Sequence, residues 1–117
     1  MNHNFKELKV WQKSRSLTKT IYEETQNFPK IELLGIVSQM RRSSISIVSN
    51  IAEGCGRNTN KQLKHFLEIA HGSATELEAQ LIISLDLGYI QETIFNDLES
   101  RIMEIQKMIL AFHKSLK

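Results

Sequence analysis

The sequence predicts an all-α fold, an antiparallel up-down-up-down four-helix bundle in one domain over residues 1–117. Three observations predict it. Apolar residues return at steps of three and four in four separate stretches. The segments between those stretches are short and carry turn and stop residues, including the chain's one proline. Leu, Ile, Lys, Glu, Gln and Ser dominate while aromatics are few, a composition that leans towards helix rather than strand. With 41% apolar residues, a chain of this length can bury one core.

The first helix is expected over about residues 7–27. Asn4 followed three residues later by Glu7 resembles a capping box. Leu8, Trp11, Leu17, Ile21 and Phe28 form its stripe, and Pro29 ends it because proline lacks an N–H and biases the preceding residue out of the helical region. The second helix is expected over about 31–55, with Leu33, Val37, Met40, Ser44, Ile47, Ile51 and Cys55 spaced almost as a coiled-coil seam. Ser43, Ser44, Ser46 and Ser49 imply close helix approach, with hydroxyls bonding back to the chain. A strand over Ser43–Ile51 is rejected, because the helical stepping continues on both sides without punctuation.

Gly54, Gly56 and the run from Arg57 to Asn60 form a stop and a loop, and Thr59 or Asn60 caps the third helix, about 60–87. Its stripe is Leu63, Phe66, Ala70, Ala74, Leu77, Leu81 and Leu85. Gly72 in mid-helix is expected to admit a neighbouring backbone, and Gly88 followed by Tyr89 and Ile90 reads as a C-cap. The fourth helix, about 93–116, starts near Gln91 or Thr93 and carries Phe95, Leu98, Ile102, Ile105, Ile109, Phe112 and Leu116, with Lys114 and Lys117 at its favourable C-terminal end. Four helices of about 30–40 Å with short links pack most simply as neighbours running up and down.

No stretch of about 18 apolar residues exists, so no membrane span is expected. The polar start from Met1 to Phe5 is not that of a signal peptide. One cysteine excludes an internal disulfide and fits a reducing cytoplasm. The net charge of +2 is unevenly spread. Residues 1–22 carry five cations against Glu7, residues 41–65 five against Glu53, and residues 105–117 three with no acid. Residues 66–104 carry eight acids against Arg101. Segregation of this kind can give a basic and an acidic face; ordinary solvated helix surface accounts for it equally well.

No catalytic constellation is expected, nor any cofactor or metal. Glu68 and His71 have the spacing of a di-iron carboxylate site, but such sites need two such motifs and further carboxylates. Cys55 falls at a helix C-terminus, where the dipole disfavours thiolate, and its seam position suits a packed hydrophobe. A polar set is more informative. Arg42, Ser46, Asn50 and Glu53 share a face of the second helix, and Ser73, Glu76 and Gln80 share one on the third. These are candidates for an interhelical or intersubunit network that sets register and oligomer state, with a ligand site as the alternative. Lys6, Lys9 and Lys13 line the first helix, and Arg57, Lys61 and Lys64 the start of the third; with Arg41 they are candidate nucleic-acid contacts, since phosphates require only spaced positive charge.

Several stretches together resemble one family: Phe5-Lys-Glu-Leu-Lys-Val-Trp-Gln-Lys13, Gln39-Met-Arg-Arg-Ser-Ser-Ile-Ser-Ile-Val-Ser-Asn-Ile-Ala-Glu-Gly54, Phe66-Leu-Glu-Ile-Ala-His-Gly-Ser73, Glu76-Leu-Glu-Ala-Gln-Leu-Ile82 and Leu87-Gly-Tyr89. Over roughly residues 5–115 the chain is similar to the bacterial 23S rRNA intervening-sequence proteins, or S23 family. The family usually has proline where this chain has Val48, which leaves the second helix straighter. The resemblance implies a four-helix bundle assembled as a homopentamer. Some members are encoded inside insertions that interrupt 23S rRNA genes, and a related accessory protein of diversity-generating retroelements binds nucleic acid and a reverse transcriptase. The expectation is therefore a non-enzymatic oligomer, with structured RNA as its partner through the basic helix faces or, alternatively, a protein scaffold or adaptor with no nucleic-acid role.

Overall fold

The computed structural model describes residues 3–117; Met1 and Asn2, with their share of the N-terminal reading, lie outside the described residues. Four α-helices follow in order: α1 (Lys9–Thr25), α2 (Ile36–Cys55), α3 (Asn60–Asp86) and α4 (Glu92–Ser115), with 3-10 turns at Phe5–Glu7 and Lys30–Glu32. Each helix packs on its chain neighbours, and α4 closes back on α1, so the four stand at the corners of an antiparallel bundle about 45 Å long. Among the described residues there is no strand, and no helix is long and apolar enough to cross a membrane.

The core lies along the bundle axis. Ile21, Ile51, Leu67, Leu77, Leu81, Ile102 and Ile105 are completely buried. The α3 stripe runs through Leu67 rather than Phe66, which is half-buried beneath the Arg57 guanidinium, 4.7 Å from its ring. In α1 the buried row is Val10, Ser14, Leu17, Ile21 and Thr25; Leu8 and Trp11 pack at its edge. Two buried hydroxyls are satisfied within their own helices: Ser14 donates to the Val10 carbonyl at 2.7 Å and Ser84 to the Gln80 carbonyl at 2.9 Å. Thr18 reaches across to the Ser44 carbonyl at 3.2 Å, where small side chains let α1 and α2 come close.

Further expectations are corrected. The second helix begins at Ile36, not near 31, because the chain after Pro29 makes a 3-10 turn and Gly35 takes a backbone conformation (φ −102°, ψ −119°) outside the helical region. Leu33 consequently leaves the seam and is 55% exposed, beside Leu34 at 92% and Ile31 at 88%. Gly72 admits no neighbour, since a Cβ there would meet nothing within 4 Å. The close approach is at Gly54, where a Cβ would stand 2.8 Å from Leu63 Cδ1 and 2.9 Å from Phe66 Cβ.

The helix ends follow the sequence more closely. Thr59 caps α3, its hydroxyl accepting from the Gln62 N–H at 3.1 Å. Gly88 adopts φ +76° after α3, a conformation natural to glycine. Asn4 caps the first 3-10 turn rather than α1, which starts after Leu8 without a side-chain cap. At the far end the Tyr89 hydroxyl donates to Glu32 at 2.7 Å, tying the α3–α4 link to the α1–α2 link. That bond, with burial and the charge of Glu32, raises the Tyr89 pKa above its ordinary value.

Candidate functional site

The antiparallel course brings the starts of α1 and α3 and the ends of α2 and α4 to one pole. His3 stacks edge-on against Phe112 at 5.3 Å, and the Glu68 carboxylate meets His113 Nε2 at 2.8 Å. His3, Asn58, Asn60 and Lys117 line a single depression there. The three stretches at this pole, residues 3–9, 53–68 and 112–117, hold seven cations (Lys6, Lys9, Arg57, Lys61, Lys64, Lys114 and Lys117) against Glu7, Glu53 and Glu68. The opposite pole, residues 22–42 and 83–99, reverses the balance, with seven acids against Lys30, Arg41 and Arg42.

The sequence-derived cations divide accordingly. Lys6, Lys9 and Lys61 are exposed at the basic pole and Lys64 is half-buried there. Arg57 borders a groove of about 770 Å³ with Lys61, Lys64, His65 and Phe66. Its guanidinium is positioned by Glu53 at 2.9 Å and by the Phe66 face. Lys13 stands further along α1, 3.3 Å from Glu104. Arg41 is not part of the group: it donates to Thr25 Oγ1 at 3.0 Å and to the Tyr22 carbonyl at 3.3 Å and lies over the Tyr22 ring, fastening α2 to the far end of α1. Lys114, Lys117, His3, His65 and His113 were not singled out from sequence as contacts. The signal for them is the topology, since an antiparallel α4 must end beside the start of α3.

Part of the polar set meets across α2 and α3. Ser46 and Ser73 hydroxyls are 2.7 Å apart, and Asn50 Nδ2 donates to the Ser46 carbonyl at 2.7 Å and to its hydroxyl at 3.0 Å. Ser43, absent from the predicted set, donates to Glu76 at 3.0 Å. Gln80 is buried, Arg42 is exposed, and Glu53 belongs to the basic pole rather than to this network. Near Glu68 and His71, α4 supplies His113, yet among the described residues no group of three His, Cys, Asp or Glu side chains is placed to hold a metal ion. Cys55 is buried, and that burial pushes its thiol pKa up.

Fold and charge thus define a class: an all-α antiparallel bundle with one basic and one acidic pole. The sequence model of the family described as 23S rRNA-intervening sequence protein matches residues 6–111. A crystal structure of a protein of unknown function from the S23 ribosomal protein family, from Bacteroides thetaiotaomicron, is also similar. It is 25% identical, covers 91% of this chain and 99% of its own, and superposes with a TM-score of 0.82. A comparison with curated proteins finds no match. The chain belongs to the 23S rRNA-intervening sequence protein family.

Proposed function

We propose that the protein is a non-enzymatic binding protein that takes up structured RNA at its basic pole, through charge and shape rather than base sequence. The observation that carries the reading is the gathering of seven Lys and Arg residues at one end of the bundle from three separate stretches of sequence. Phosphates attract such a surface and release condensed counterions when they bind, without any base-reading module. The groove beside Arg57 and Phe66 gives this end a concave surface, and the acidic opposite pole orients the molecule as it approaches a polyanion. A binding role suits a chain whose one thiol is sealed in the core and held protonated.

Self-association into a ring belongs to the same proposal, with family resemblance as its support. In a head-to-tail ring the basic side of one copy meets the acidic side of the next, and the cations used in that contact are withdrawn from RNA. Light scattering at low and high salt tests it, because a charge-held ring dissociates as salt rises. RNA uptake is tested by gel shift with a structured RNA at about 50 and 200 mM salt; four phosphate contacts predict a loss of roughly a hundredfold between the two. No shift at the lower salt would sink the reading. A protein partner that survives nuclease treatment in a pull-down would favour the adaptor role in its place.

A further inference from the structure

A second concave surface of about 480 Å³ runs between α2 and α3, lined by Leu34, Arg42, Ser46, Glu76 and Gln80 among others. We propose that this groove docks an amphipathic segment of another protein, one that presents a Lys or Arg side chain flanked by aliphatic residues.

The α3 wall asks for a donor. Gln80 is only 8% exposed, and its Oε1 is shut from solvent with no hydrogen-bond partner. An amide oxygen only accepts, so the group that satisfies it brings an N–H or O–H. Glu76 lies one helical turn before Gln80 on the same wall, its Oε1 already accepting from Ser43 and its negative charge unpaired by any cation among the described residues. A carboxylate and a carbonyl side by side select an ammonium or guanidinium group over a neutral donor. Leu34 and Arg42 place the groove beside the acidic pole, where seven acids stand against three cations, so charge complementarity at long range also favours a basic partner. Arg42, on the α2 wall, would meet a backbone carbonyl or carboxylate of the same segment.

The lip of the groove asks for apolar surface. Leu34 is 92% exposed at its mouth, and its chain neighbour Leu33 is 55% exposed. Large aliphatic side chains held in water next to a polar groove mark an interaction surface. A small free cation would satisfy Glu76 and Gln80 but leave Leu34 uncovered, whereas a peptide segment covers both.

The test selects random peptides of about twelve residues on the full-length protein and then measures their affinity by fluorescence anisotropy. Enriched peptides are expected to carry Lys or Arg within a helical turn of Leu or Ile. Leu34→Asp and Glu76→Lys, both at exposed positions, each weaken binding by about tenfold or more, while Glu92→Lys, the same charge change on α4, leaves it within about twofold. Circular dichroism establishes that the variants are folded. Enriched peptides without Lys or Arg, or affinities indifferent to Leu34→Asp and Glu76→Lys, overturn the proposal. So does a self-associated protein that Leu34→Asp converts to monomer, which would make a second copy the occupant. Lys61→Glu, at the basic pole, leaves peptide affinity unchanged, so this proposal and RNA uptake fail separately.

Discussion

Alanine at Gly54 and at Gly72 is the same chemical change in two helices, and the structure assigns it opposite signs. Both positions are helical, so alanine at either gains about 1 kcal/mol of propensity. At Gly72 nothing lies within 4 Å of the new Cβ, and that gain is the whole effect. At Gly54 the methyl meets Leu63 Cδ1 at 2.8 Å, Phe66 Cβ at 2.9 Å and the Leu63 carbonyl oxygen at 3.3 Å. The first can swing away, but Phe66 Cβ and the carbonyl are fixed to α3 and move only with the helix. Overpacking of this kind costs about 3 kcal/mol at the severe end of its range, leaving Gly54→Ala destabilised by about 2 kcal/mol after the propensity gain. Urea unfolding followed by circular dichroism reads both, at constant protein concentration. A stabilised Gly54→Ala refutes the close contact of α2 on α3. A destabilised Gly72→Ala shows that another chain packs over α3 at that point.

Four further outcomes follow from the same structure. Thr59→Ala removes the side-chain cap from the start of α3 and lowers stability by about 1 kcal/mol, visible as a drop of a few degrees in Tm. A double-mutant cycle on Ser46 and Ser73, each to alanine, gives a coupling of about 0.5–1.5 kcal/mol for the 2.7 Å contact, and a coupling near zero means that the hydroxyls do not bond. Cys55 reacts with a thiol reagent only as fast as the protein unfolds, because burial both shields it and keeps it protonated. The same shift fixes a sign. The unfolded state loses the thiol proton first as pH rises past the ordinary thiol range, so stability falls with rising pH there, and Cys55→Ala flattens that slope.

Periodicity located all four helices because each buries one stripe, and a stripe leaves its 3.6-residue signature whatever it packs against. It misplaced Phe66 for Leu67 because a single stripe does not reveal which flank a neighbouring helix covers; Arg57 from the preceding loop takes Phe66 instead. Gly72 and Gly54 look alike in sequence, since close approach is a property of the partner helix and not of the glycine. Leu33 continues the seam spacing and so places the start of α2 too early, and the backbone of Gly35 that breaks it has no periodic signal. The basic residues were legible as stripes on separate helices. Their convergence with Lys114 and Lys117, and the departure of Arg41, required knowing which helix ends meet.

The salt dependence of RNA affinity measures the role of the basic pole most directly. For the unaltered protein, log K should fall with log salt with a slope of about −3 to −4 for four phosphate contacts. Lys61→Glu and Lys64→Glu should each make that slope shallower by about one, while Lys30→Glu at the opposite pole leaves it unchanged. Equal slopes for all three variants, or no measurable affinity at low salt, would contradict it.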